Sequence, residues 1–267
     1  MSLLPKRQTP ETRSLVRAHV LHVERTSEHF ATVTLGGPGL AAFEPLGGDQ
    51  CFRLFFRREG QDALRLPTAA GNGWIVQTLL MRAEVRPWVR NYTVRSFRRE
   101  PLELDVEFAL HADGGPGGAF PLRARPGEEV GLFDEGRTYL PPEGARRQLI
   151  VADETAVPAA LAILETAPAD LAATVLLEVP AKDDVHDVSA PSGVDITWLP
   201  REGTARPGQL ALEALTANAF PQPDYAWIAG ESALATGARR YLHREREVPK
   251  SAIAFFGYWR LGRSAPG

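Results

Sequence analysis

Apolar residues recur at every second position, or in short dense runs, through the first half of the chain. Leu15 to Arg25, His29 to Leu35 and Gln50 to Phe56 carry this pattern. Gly36-Gly37-Pro38-Gly39 and Gly47-Gly48-Asp49 separate the last two and read as turns. Leu102 to Leu110 alternates strictly as LELDVEFAL, and Val89 to Phe97 precedes it. The pair is expected as antiparallel neighbours joined by Arg98-Arg99-Glu100-Pro101. Val130 to Phe133, entered through Pro126-Gly127-Glu128, completes a set of six strands. Between them, Trp74 to Met81 fits either a short helix or a strand after the break at Gly71-Asn72-Gly73. This spacing predicts a six-stranded antiparallel barrel over residues 13–140, preceded by a tail.

The pattern changes at Pro141 to Arg147, which is linker-like. Strands are expected at Leu149–Ala152, Thr174–Val179, Asp195–Leu199, Tyr225–Ala229 and Ile253–Tyr258. Helices are expected at Ala156–Glu165, Gln209–Ala217 and from Ala233 to about Glu247, with Thr155 and Ser232 as N-caps for the first and last. Apolar strands alternating with helices predict a parallel-sheet α/β domain over residues 147–262, with ligands beyond the carboxyl ends of its strands.

Composition narrows the possibilities. The chain has 267 residues, 44% of them hydrophobic and 24% charged, as in a folded globular protein. A net charge of −3 gives no general attraction to nucleic acid or to an anionic membrane. No apolar run approaches a membrane span, and the N-terminus MSLLPKRQTPETR lacks a signal-peptide core, so a cytoplasmic protein is expected; a monomer is expected as well. Cys51 is the single cysteine and is expected to be buried and inert; it excludes an internal disulfide and a four-cysteine cluster. His19 and His22 project to opposite faces of a strand, and no other histidine has a ligand-spaced neighbour, so no protein-bound metal is expected.

The candidate chemistry centres on Arg90-Asn91-Tyr92-Thr93-Val94-Arg95. One strand there offers an aromatic ring, a hydroxyl and two guanidinium groups. That set suits a large planar cofactor carrying a pyrophosphate: a ring to stack, a heteroatom to hydrogen-bond, and phosphates to pair. The following His111-Ala112-Asp113-Gly114-Gly115-Pro116-Gly117-Gly118-Ala119 lets main-chain N–H groups approach a ligand. In the second half, Asp153-Glu154-Thr155 and Gly230-Glu231-Ser232 follow strands at helix starts. The latter resembles a nucleophile elbow only in outline, because Leu234 stands where a small residue is needed and His243 lies on the same helix.

Four stretches together resemble the siderophore-interacting protein family within the ferredoxin-reductase-like flavoproteins. They are the Arg90 to Arg95 strand, His111 with its Gly-Pro loop, Asp153-Glu154-Thr155-Ala156-Val157-Pro158, and Gly257-Tyr258-Trp259-Arg260-Leu261-Gly262. The resemblance implies FAD as cofactor and reduction of Fe(III) held by a siderophore. It implies NADH, NADPH or a reduced ferredoxin as electron donor. By resemblance, Tyr92 and Thr93 would act at the flavin ring, with Arg90 on the pyrophosphate, Asn91 and Val94 in the same strand, and Arg95 on the ribityl or phosphate side. His111 and Gly114, Gly115, Pro116, Gly117, Gly118 and Ala119 would close around the pyrophosphate and adenine side. Asp153, Glu154 and Thr155 would border the nicotinamide cleft, and Tyr258 and Trp259 would return to the flavin. Arg53, Arg57, Arg137 and Arg260 are candidates for a basic rim binding an anionic ferric chelate. A general flavin reductase with another acceptor, and a non-catalytic siderophore-binding protein, remain the competing readings.

Overall fold

The computed structural model describes residues 6–110, 115–203, 205–217 and 219–263. The chain forms two compact units. One holds Gln8–Thr26 and Phe30–Arg137; the other holds Ser27–His29 and the described residues from Thr138 onward.

The first unit is a curled antiparallel sheet built from β1 (Leu15–Arg25), β2 (Phe30–Gly36), β3 (Cys51–Phe56), β4 (Trp88–Thr93), β5 (Ser96–Arg99), β6 (Leu102–Ala109) and β7 (Glu129–Gly136). Their order across the sheet is β4-β3-β7-β1-β2-β6-β5. Alternation along β1 buries Val16, Ala18 and Val20, and along β6 it buries Leu104, Val106 and Phe108. These side chains join Phe52, Leu54, Phe56 and Phe120 in one core. Phe55 and Phe133 point to the opposite face, where Trp74 of helix α1 (Gly73–Leu80) covers them. The ambiguous Trp74 segment is therefore a helix, with Trp74 and Thr78 buried one turn apart.

Seven strands appear where six were expected because the Val89–Phe97 run is two strands. Val94 N–H donates to Gln50 O at 2.8 Å, on the β3 side, and Arg95 N–H donates to Asp105 O at 2.9 Å, on the β6 side. The chain changes partner between these residues, so β4 pairs with β3 while β5 pairs with β6. The expected hairpin to β6 survives only in β5. Cys51, expected to be buried, is half-buried at the start of β3, where the register with β7 shifts. Helix α2 (Pro116–Arg123) follows β6.

The second unit carries β8 (Arg147–Ala152), α3 (Val157–Glu165), β9 (Ala172–Val179), β10 (Gly193–Pro200), α4 (Gln209–Ala217), β11 (Tyr225–Glu231), α5 (Ser232–Arg244) and β12 (Ile253–Trp259). All five strands are parallel, in the order β10-β9-β8-β11-β12. The antiparallel and parallel sheets bear out the expected combination of all-β and α/β. The chain runs outward from β8 through β9 and β10, then returns to lay β11 against the other side of β8. Strands β8 and β11 thus flank the topological switch point, where α/β sheets bind ligands. Helix α3 is apolar all round, and every residue from Val157 to Leu164 is buried.

Candidate functional site

In the first unit the motif strand β4 lies at one end of the sheet order, with β3 as its ladder partner. Alternation sends Trp88, Arg90 and Tyr92 to one face. The Tyr92 ring packs on Phe108 with centroids 4.2 Å apart and planes inclined at 49°. Burial raises the pKa of its phenol, which stays a neutral hydrogen-bonding group. Helix α2 brings its first turn against this face. A Cβ at Gly117 would lie 2.5 Å from Tyr92 Oη and 3.7 Å from Arg90 Cγ, so the backbone approaches closely only because this residue is glycine.

Arg90 donates from Nη1 to the neighbouring Val89 O at 2.8 Å, and its guanidinium lies 5.1 Å from the centroid of Trp88. Arg58 comes off the end of β3 onto the same indole, at 3.9 Å. Neither guanidinium is paired with a carboxylate of the described residues. Burial lowers the pKa of both, and Arg58 further lowers that of Arg90. A ring-bearing strand face, a glycine-lined helix start and two uncompensated guanidinium groups fit a flavin dinucleotide: the ring for the flavin, the cations for its diphosphate.

The other expected residues are distributed as follows. Asn91 is exposed, while Thr93 and Val94 are buried. Arg95 faces Glu107 at 3.8 Å. Gly115 precedes α2, and Pro116, Gly117, Gly118 and Ala119 form its first turn. His111 and Gly114 lie outside the described residues. Arg53 sits opposite Asn91 and donates to Glu135 Oε1 at 3.0 Å. Arg57 donates to Gln61 O at 3.0 Å and meets Glu128 at 3.4 Å. Arg137 donates to Gln8 Oε1 and to Leu46 O, both at 2.9 Å.

In the second unit, the carboxyl ends of β8, β9 and β11 carry buried acids, each engaged by the protein's own donors. Asp153 is fully buried. Its Oδ1 accepts from Thr155 N–H at 2.9 Å and from the Thr155 hydroxyl at 2.6 Å. Its Oδ2 accepts from Glu231 N–H at 2.5 Å and from Trp259 Nε1–H at 3.1 Å. Gly230, at φ 136°, makes room: a Cβ there would lie 2.5 Å from Asp153 Cγ. Glu178 accepts from Gly208 N–H at 2.8 Å and Ala211 N–H at 2.9 Å, closing the start of α4. Arg201 donates to Glu178 at 2.6 Å and makes a two-pronged contact with Glu154 at 3.1 Å.

The expected N-caps change hands. The Thr155 hydroxyl turns back to Asp153, and the Ser232 hydroxyl donates to Trp259 O at 2.7 Å. Glu231 caps α5 instead, accepting from Ala233 N–H, and also accepts from Leu261 N–H at 3.2 Å. Trp259 is thereby tied to the ends of β8 and β11, whereas its neighbours Tyr258 and Arg260 are exposed.

Burial, then Glu154, pushes the Asp153 carboxyl up to about 7, against the hydrogen bonds from Thr155 and Glu231 that hold it down. Ionising it costs the folded state more than the unfolded chain. Its stabilising contribution is therefore complete below the unfolded value near 3.8 and is lost as pH rises through about 7. Urea unfolding at about pH 5 and about pH 8 should give the lower free energy at the higher pH. Asp153→Asn should flatten that difference; a wild-type profile without a decline would show that the donors outweigh burial.

Sequence reasoning missed Arg58 with Trp88, and Glu178 with Arg201. A signal existed for Glu178, since a lone carboxylate inside the apolar run ATVLLEV demands a buried partner. Arg58 had none, because arginines crowd that region and only the β3 to β4 register selects the one above the indole.

Among the described residues, no cluster of side chains is arranged to hold a metal ion, and no helix is long and apolar enough to cross a membrane. Family models match in two parts: residues 19–138 fit the siderophore-interacting FAD-binding domain, and residues 145–262 fit the siderophore-interacting protein model. Ferric vibriobactin reductase ViuB of Vibrio cholerae is 32% identical over 240 residues, covering 89% of this chain and 86% of that protein. An NADPH-dependent ferric-chelate reductase of Escherichia coli is 30% identical over 246 residues, covering 90% and 91%. The crystal structure of a siderophore utilization protein from T. fusca superposes with a TM-score of 0.80 at 30% identity, covering 98% of each chain. Ferredoxin reductases of lower identity share the fold.

Proposed function

The chain belongs to the siderophore-interacting protein family, and we propose that it is an FAD-dependent reductase of ferric siderophores. The face of β4 carrying Tyr92 and Arg90, closed by Gly117, is the observation that carries this reading. When bound, FAD supplies the conversion between a two-electron donor and a one-electron acceptor. Tyr92 offers its neutral ring and hydroxyl to the flavin, with Thr93 beside it. Arg90 pairs with the diphosphate, and the start of α2 brings main-chain N–H groups close to it.

The ferric siderophore is the substrate. Hard oxygen donors hold Fe(II) less tightly than Fe(III), so electron delivery loosens the chelate and releases the metal. Arg53 and Arg57 lie on or beside β3, next to the motif strand, and are proposed to attract an anionic chelate. The donor is proposed to be NADPH or NADH, with a ferredoxin-type protein as the other source. The release is proposed to occur in a monomeric protein in the cytoplasm, where reducing conditions preserve Fe(II).

An anaerobic absorbance experiment tests this reading. The protein with FAD is expected to bleach on addition of NADPH or NADH. Addition of a ferric siderophore should then restore the colour while a chelator traps Fe(II). Bleaching by dithionite alone, followed by the same reoxidation, would assign the donor role to a ferredoxin-type protein. Failure to take up FAD overturns the proposal, and turnover of dyes without any ferric siderophore reduction would make the protein a general flavin reductase.

A further inference from the structure

Three side chains outside the flavin motif's ring-binding end form a built group. Phe56 pairs with Trp88 across the β3 to β4 ladder, so Arg58, two residues beyond Phe56, leaves the strand over the indole. Its turn is locked. Arg58 N–H donates to Gln61 Oε1 at 2.9 Å, while Gln61 Nε2 donates to Glu84 O and Arg86 O, both at 3.0 Å. The Arg58 Nε–H is buried without a hydrogen-bond partner. The nearby Arg86 guanidinium is already engaged by Met81 O at 2.7 Å and Leu79 O at 2.9 Å. Arg58 and Arg90 therefore stand over one indole as two partly desolvated cations without a carboxylate between them.

Charges in that condition are stabilised by a shared anion. Position along β4 says which part of FAD supplies it. Tyr92, Arg90 and Trp88 follow one another on one face at a spacing of about 7 Å. If the flavin ring lies at Tyr92 and the diphosphate begins at Arg90, the Trp88 end lies on the side of the AMP half.

We propose that Arg58, held on Trp88, is a second phosphate-binding arginine that takes the AMP-side phosphate of FAD and sets the preference for FAD over FMN. The inference rests on the FAD-dependent reading above. It adds a determinant outside the Arg90 to Arg95 motif. Arg58 is a cofactor-binding residue, and Trp88 positions it through a cation–π contact.

Titrating the flavin-free full chain tests it. Binding of FAD and FMN is followed by flavin fluorescence, and ADP is used as a competitor that carries only the adenosine diphosphate portion. Arg58→Gln is expected to weaken FAD and ADP by about tenfold to a hundredfold and to leave FMN unchanged. Arg58→Lys, which keeps the charge but loses the planar fork, should fall between. Unchanged FAD and ADP affinities with a lowered melting temperature would show that Arg58 only covers the indole, overturning the proposal. Equal weakening of FMN would also overturn it, because the contact would then not be on the AMP side. A wild type that binds FAD while Arg58→Gln binds it equally well overturns this inference alone. A wild type that binds no FAD overturns the functional reading with it.

Discussion

Arg90→Ala is expected to weaken FAD binding by about tenfold to a hundredfold while the antiparallel sheet stays folded. The guanidinium has no carboxylate partner among the described residues and donates to the adjacent Val89 O. Its removal therefore leaves no buried acid uncompensated. What disappears is a charge-assisted contact to the diphosphate, of the kind that contributes about 1.5–3 kcal/mol. Fluorescence titration with FAD measures the loss, and thermal unfolding of the flavin-free protein checks that the fold is intact. A variant that binds FAD as tightly as wild type would remove Arg90 from the cofactor site. A variant that unfolds would make the arginine structural, contrary to its lack of acidic partners.

The opposite behaviour is expected for Arg201→Ala, which should destabilise the protein by about 3–5 kcal/mol. Arg201 is the cation between Glu154 and Glu178, which are 1% and 0% exposed. Without it, two buried carboxylates lose the guanidinium they share, while Glu178 keeps its backbone donors from Gly208 and Ala211. Adding Glu154→Gln should restore part of the loss, because one of the two buried negative charges is removed. Urea unfolding measures both changes. An arginine at the end of a parallel strand would otherwise be a natural partner for the phosphate of a dinucleotide donor. Here its guanidinium is engaged by two acids, so a variant with unchanged stability but a raised KM for NADPH would reverse this assignment.

The buried acids also bear on how a donor is met. Glu178 closes the first turn of α4, Glu231 closes that of α5, and Asp153 holds the turn leading into α3. Helix starts that ordinarily attract phosphate thus already face carboxylates. If a nicotinamide donor docks on this unit, its phosphates are expected to meet cations or amides other than these helix starts.

Much of the architecture was legible in the chain. Alternation in Leu15–Arg25 and LELDVEFAL, and the strand-helix alternation after Arg147, are local signals of burial on one face or two. They suffice for the antiparallel sheet, the parallel sheet and the strand bearing Tyr92. The division of Val89–Phe97 was not legible, because both halves alternate alike and the break reflects only the change of partner from β3 to β6. The N-caps were misread for a related reason. Thr155 and Ser232 have the right chemistry, but Asp153 and the carbonyl of Trp259 claim their hydroxyls.

By itself, then, the order of residues determined the two kinds of sheet and the strand on which the cofactor motif lies. Only tertiary structure decided which charged groups meet. Glu178 reaches Arg201 and the start of α4 across 23 to 33 residues, and Arg58 reaches Trp88 through the register of two strands. Periodicity depends on the near neighbours of each residue and can be read along the chain. The pairing of desolvated charges depends on where distant segments come together, which the fold alone fixes.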